Sequence, residues 1–162
     1  TMMDSNSWLT DLGPEASEAA EFLQLTPQDC VAQLRAAFSA RSTVNVALIV
    51  LASAPSGVVE LFPEELLYRA MATDGRFVEA RRVLMRMSRY RLHGVMSDYV
   101  DRVISEVPQD WEQYRCTAYF LDAAAFWDLL ARLVDAAKLS DDIDIRDVAE
   151  DYDSKQRTND SK

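Results

Sequence analysis

A chain of 162 residues is long enough for one domain with a sizeable core. Of these residues 49% are apolar and 27% are charged, and only 4 are glycine and 5 proline, which excludes disorder over most of the length. So few turn-forming residues also argue against an all-β sandwich or barrel, which needs a turn signal about every 8 to 12 residues.

Cysteine usage and hydropathy indicate an intracellular protein without a membrane span. Cys30 and Cys116 lie far apart in apolar patterns, so neither a disulfide framework nor a zinc site is indicated. No basic residue precedes an apolar run in residues 1–6, so we expect no secretory leader. The longest apolar run, 44–54, is too short for the roughly 20 residues that cross a bilayer. We therefore expect a cytoplasmic location, with the nucleus as the alternative.

The formal net charge of −10 comes from 17 basic and 27 acidic residues, and it is distributed unevenly. The stretch 69–102 holds eight arginines against four acidic residues, a net +4, so that the remainder of the chain is −14. Global acidity disfavours non-specific nucleic-acid binding, whereas the local arginine cluster leaves RNA open as a partner. The most acidic stretch is 141–153, in which only Arg146 is basic.

Helix signals follow one another through the first half of the chain. Pro14 opens a short helix, and Thr26 caps a second helix that runs to about residue 40. The β-branched, apolar stretch 43–53 is interpreted as a buried helix because no partner strand is visible elsewhere. Pro63 begins a fourth helix, which the sequence Thr-Asp-Gly at 73–75 closes.

The second half predicts further helices and completes the fold class. A helix begins near Phe77, Gly94 interrupts the next one, and Asp110 caps a long helix over 111–139 that is apolar nearly all round. We expect an all-α protein of six or seven helices, either an irregular α-solenoid-like helical repeat or an orthogonal helix bundle around that long helix. Residues 1–12 are expected to be flexible, 13–140 to form a single helical domain, and 141–162 to be an acidic, largely disordered tail. A short acidic helix over 141–152 is left open within that tail.

One stretch carries a family pattern. Gly75, Phe77, Glu79 and Ala80 follow a helix at 63–71 and open the next one, with the spacing Gly-x-aromatic-x-Glu-Ala. Over residues 62–104 this resembles a helix-turn-helix unit of the tetratricopeptide or wider α-solenoid kind. The resemblance implies an irregular stack of helix pairs, and families of this kind usually bind other macromolecules and perform no chemistry.

Residues that could support catalysis or bind metal are few. The only histidine, His93, is expected at a helix end as a capping or surface residue. Four scattered glycines build no phosphate-binding loop. Asp142, Asp144 and Asp147 have loop-like spacing, but the stretch lacks the central Gly and late Glu of a calcium loop. We expect no catalytic residue, metal or cofactor.

The pattern favours a non-catalytic protein–protein interaction domain, acting as an adaptor, scaffold or complex subunit. Apolar anchors beside the long helix would supply the binding energy and charged faces would select the partner. The alternatives are an acidic inhibitor or immunity-type protein that neutralises a basic enzyme such as a nuclease toxin, and an RNA-associated helical module. A homodimer is left open. The candidate partner-binding residues are Arg82, Arg86 and Arg89 on a basic helix face, Phe126 and Trp127 as anchors, and Asp141, Asp142, Asp144 and Asp147 on the acidic segment.

Overall fold

The computed structural model describes residues 7–72 and 77–159, together with their side chains apart from those of residue 77 and residues 154–159. In these residues the fold is all-α, as predicted, with one 3-10 helix and no strand. This described part of the chain has ten α-helices, more than the six or seven expected. The turn at 73–75 that was predicted to close a helix, and Gly75 of the family pattern, lie outside the described residues.

The described helices divide into two compact units, whereas the sequence predicted one helical domain over 13–140. Unit 1 contains described residues 7–70 and 77–89, and unit 2 contains described residues 71–72 and 90–159. In unit 1 a 3-10 helix, Ser7–Asp11, precedes six α-helices and buries Trp8, within the stretch expected to be flexible. The six are α1 (Pro14–Phe22), α2 (Cys30–Ala37), α3 (Val44–Ser53), α4 (Ser56–Val59), α5 (Pro63–Ala70) and α6 (Phe77–Leu84).

Helix α3 is the centre of unit 1. It contains no charged residue, and it packs against α1, α2 and α6. A helix with so few polar residues has to be covered on most sides, and this requirement overrides the strand propensity of its β-branched residues. The prediction of a buried helix over 43–53 is therefore confirmed.

Arginine side chains tie the helices of unit 1 together. The last carbonyl groups of a helix have no partner within the helix, and a guanidinium group from another helix can supply the missing donor. Four such bonds occur at or just beyond a last helical turn. They join Arg35 Nη2 to Leu61 O at 2.7 Å, Arg69 Nη2 to Phe38 O at 3.2 Å, Arg81 Nε to Ala70 O at 2.8 Å, and Arg86 Nη1 to Leu51 O at 2.7 Å.

Unit 2 consists of four longer helices. They are α7 (Arg89–Ser105, whose first residue clusters with unit 1), α8 (Trp111–Ala123), α9 (Trp127–Lys138) and α10 (Ile143–Asn159). Helices α8, α9 and α10 pack against one another. Asp110 caps α8 as predicted, its side chain accepting a bond of 2.9 Å from the Glu112 amide. Helix α7 continues through Gly94, where an interruption was predicted, because Leu92, Val95 and Met96 on its buried face favour a continuous helix.

The long helix predicted over 111–139 is broken at residues 124–126. Ala125 has a left-handed backbone, with φ of 56°. The Phe126 amide donates to the Leu121 carbonyl at 3.0 Å and the Ala125 amide to Asp122 at 3.1 Å, the two bonds of a Schellman motif. The same motif ends α1, where Gln24 has φ of 53°. Both motifs form without glycine, so the sequence carries no stop signal at either place.

The predicted acidic, largely disordered tail over 141–162 also differs from the structure. Helix α10 occupies Ile143–Asn159, and its inner face buries Ile145, Val148, Ala149 and Tyr152 at helical spacing. These four apolar residues lie among the acidic residues that dominated the composition of the segment. Burying them stabilises the helix against the mutual repulsion of the carboxylates.

Candidate binding groove

An open groove lies on unit 1 between α1 and α6, with α3 as its floor. Its volume is about 920 Å³. Helix α3 packs against both flanking helices, so the groove follows the side of α3 that no helix of unit 1 covers. The sequence analysis did not identify this groove.

The floor of the groove is a stripe of uncharged side chains on α3. Asn45, Leu48, Ile49, Ala52 and Ser53 line it at the spacing of one helical face. Leu48 is buried, Ile49 is half-buried, and the other three are exposed. Polar Asn45 and Ser53 at the two ends of an otherwise apolar stretch were the signal in the sequence that one side of α3 faces solvent.

The walls of the groove carry charge. Glu15 of α1 stands on one side, and Glu79 and Arg82 of α6 stand on the other. All three side chains are exposed. Within the described residues none of them forms a hydrogen bond or an ion pair.

The three arginines predicted to form one basic face do not lie on one helix. Arg82 is on α6, Arg86 is in the turn after α6, and Arg89 is the first residue of α7. Arg86 donates to the Leu51 carbonyl, so its guanidinium group already has a structural partner. The error came from extending the helical spacing of α6 past its end at Leu84.

Of the two predicted aromatic anchors, only one is accessible. Phe126 has 2% of its surface exposed, because the Schellman motif at the end of α8 turns it into the core of unit 2. Trp127, the first residue of α9, is 43% exposed. The prediction of Phe126 as an exposed anchor is therefore wrong, and Trp127 keeps an accessible ring.

His93 lies inside α7 and not at a helix end. Its Nε2 atom is 2.7 Å from Oδ2 of Asp128 on α9, and its ring meets Phe126 edge-on at a centroid distance of 5.3 Å. The hydrogen bond from His93 lowers the pKa of the Asp128 carboxyl below its ordinary value. In the described part of the chain no hydroxyl or thiol group hydrogen-bonds to the histidine ring.

A second link between α7 and α9 lies about one turn further along. Arg132 Nη2 donates to the Ser97 carbonyl at 3.0 Å, and it lies 3.5 Å from Oδ1 of Asp101. His93, Ser97 and Asp101 are four residues apart on α7, as Asp128 and Arg132 are on α9. These contacts form a polar ladder along two helices that run in the same direction.

The acidic candidates are placed on and before α10. Asp142 caps this helix, its Oδ1 atom accepting a bond of 2.9 Å from the Asp144 amide. Asp141, Asp144 and Asp147 are exposed, and Asp144 and Asp147 share one helix face with Asp151. Among the described residues no group of three or more His, Cys, Asp and Glu side chains is arranged to hold a metal ion.

None of the described helices is both long enough and apolar enough to span a bilayer. In comparisons with known proteins, no family model, no curated protein and no solved structure matches the chain.

Proposed function

We propose that the chain is a non-catalytic protein–protein interaction module, acting as an adaptor, scaffold or complex subunit, and that the groove of unit 1 is its docking site. The single observation that carries this proposal is the groove itself, with an uncharged floor on α3 and three charged side chains on its walls that lack partners among the described residues. A central apolar surface with a polar rim is the usual anatomy of a protein interface.

The shape of the groove favours a macromolecule over a small molecule. Small-molecule sites are concave and bury most of their ligand. This groove is bordered by exposed side chains on both walls and at both ends of its floor. An open trough between two helices suits a helix or an extended segment of another protein.

The experiment is affinity capture with three forms of the chain, read by mass spectrometry. Ala52→Arg places a long charged side chain on the groove floor at an exposed position, so it blocks docking without disturbing the core. Ala36→Arg is the matched control, since Ala36 is an exposed residue of α2 that does not line the groove. The proposal predicts partners that return with the wild type and Ala36→Arg and are lost with Ala52→Arg. Partners that return equally with all three forms would refute it.

A second candidate function, an acidic inhibitor of a basic enzyme, is supported by the exposed acidic face of α10. A helix holds Asp144 and Asp147 one turn apart on an exposed face, which is the requirement for a carboxylate surface that matches a basic active site. Asp151 on the same face is paired with Arg115 at 3.3 Å. Asp144→Asn with Asp147→Asn removes two charges and leaves the Asp142 cap intact. This candidate predicts loss of one basic partner with that double variant, and retention of that partner by Ala52→Arg.

A further inference from the structure

We infer that the groove takes an amphipathic helix of a partner protein, which places apolar and small side chains on α3, a basic side chain between Glu15 and Glu79, and an acidic side chain against Arg82. This inference rests on the proposed function and names the kind of partner that the site selects.

The floor of the groove suits a packed helix. The stripe from Asn45 to Ser53 spans eight residue steps, about 12 Å or a little over two helical turns. Ala52 and Ser53 are small, as are Gly13 and Ala16 on the α1 side, so the backbone of an incoming helix can approach closely. Leu48 and Ile49 supply the apolar contact.

The charges on the walls define the polar flanks of that helix. Glu15 and Glu79 contribute two carboxylates against the single guanidinium of Arg82, so the groove is net negative. The wall formed by α1 contributes Glu15 and has no basic residue. A basic side chain in the groove is therefore attracted from both walls, whereas an acidic side chain at the same position is repelled.

The spacing on α6 adds a second requirement. Arg82 follows Glu79 by three residues, a rise of about 4.5 Å, so the two charges are neighbours along the same wall. A helix lying along this wall can pair with Glu79 through a basic residue and with Arg82 through an acidic residue three or four positions away. Such a pair also fixes the direction of the bound helix, because the reversed order places like charges together.

The test selects binders to the full chain from a displayed library of helical peptides of about 20 residues, and then measures dissociation constants by fluorescence anisotropy at about 0.15 M salt, where distant surface charges are screened. The inference expects enriched peptides with apolar residues at i, i+3, i+4 and i+7 and a Lys or Arg beside an acidic residue one turn away. Their affinity should fall about tenfold or more on Ala52→Arg, and roughly 3- to 30-fold on the double variant Glu15→Gln, Glu79→Gln.

Two matched variants serve as controls. Ala36→Arg adds the same side chain outside the groove, and Glu18→Gln with Glu21→Gln removes the same charge from α1 at positions that do not line the groove. Both should change affinity by less than about twofold. Circular dichroism spectra that match the wild type establish that each variant is folded.

The remaining outcomes overturn the inference in different ways. Affinity that is lost on Ala52→Arg but unchanged on Glu15→Gln, Glu79→Gln refutes the charged partner and leaves the proposed function standing. Affinity that is equal on Ala52→Arg and Ala36→Arg refutes both. The absence of helical binders refutes the inference and leaves the proposed function standing, because the groove also suits an extended segment. A wild-type dimer in light scattering that Ala52→Arg dissociates makes a second copy of the chain the occupant and also overturns the inference.

Discussion

Arg86 Nη1 lies 2.7 Å from the carbonyl oxygen of Leu51, so a side chain from the turn after α6 adds a second donor to a carbonyl in the last turn of α3 that also accepts from the Ala54 amide at 3.2 Å. A residue that looked like part of a basic binding face is therefore a structural tie. Arg35, Arg69 and Arg81 in unit 1 each donate to a backbone carbonyl in the same way.

The first prediction concerns the hydrogen bond from Arg86 to the Leu51 carbonyl. We expect Arg86→Ala to lower the free energy of unfolding by about 1 kcal/mol, because the Leu51 carbonyl loses a charged donor. Arg82→Ala is the control, since Arg82 has no hydrogen-bond partner among the described residues, and it should stay within about 0.5 kcal/mol of the wild type. Urea unfolding followed by circular dichroism measures both. Equal decreases in the free energy of unfolding of the two variants would show that this hydrogen bond does not stabilise the fold.

The second prediction concerns Gln24 and Ala125, the two residues with a left-handed backbone conformation. Gln24→Gly and Ala125→Gly should each raise the free energy of unfolding by about 0.5 to 1 kcal/mol, because glycine adopts a positive φ without the steric cost that a Cβ atom brings. Ala136→Gly, inside α9, should lower it by about 1 kcal/mol. Thermal unfolding of the three variants gives the comparison, and destabilisation by all three would contradict the assigned backbone geometry.

The third prediction is a pH dependence at Asp128. Its pKa is lowered in the folded chain by the hydrogen bond from His93, so the stability it contributes is present above its unfolded pKa of about 3.9 and is lost as the pH falls through the folded pKa. Between about pH 5 and pH 3 the wild type should therefore lose more stability than Asp128→Asn. Asp135→Asn, on the same helix, should keep the wild-type slope. Parallel curves for the wild type and Asp128→Asn would exclude this contribution.

The fourth prediction separates the two aromatic residues at the start of α9. Phe126→Ala should cost about 3 to 5 kcal/mol of stability, because it empties a buried position in unit 2. Trp127→Ala should cost less than about 1 kcal/mol, because its ring is partly exposed. Denaturant unfolding compares the two. A larger loss at Trp127 would mean that the core of unit 2 is arranged differently.

The parts of the fold that could be predicted are those that local sequence specifies. The buried helix α3 followed from an apolar stretch without a partner strand, the start of α5 from Pro63, and the cap of α8 from Asp110. The break before Phe126 could not be predicted, because an alanine takes the position that glycine usually signals. Helix α10 was expected at most as a short helix over 141–152 in a disordered tail, because its four buried residues are outnumbered by carboxylates in the composition of the segment.

Most of the candidate site could not be predicted from the sequence. Glu15, Ile49 and Arg82 belong to three helices, and only the packing of α1 and α6 on α3 brings them to one groove. Arg82 was singled out for a helix face shared with Arg86 and Arg89, which the structure does not form. Its place on the groove wall follows from the packing between helices, which the helical spacing of the sequence does not predict.

The ladder between α7 and α9 has a consequence for the order in which unit 2 assembles during synthesis. The bonds from His93 to Asp128 and from Arg132 to Ser97 each join residues 35 positions apart. At the usual elongation rates of about 5 to 20 residues per second, the second partner leaves the ribosome roughly 2 to 7 s after the first. Helix α7 is therefore complete well before its ladder can form, and its pairing with α9 has to wait until α8 has turned the chain back.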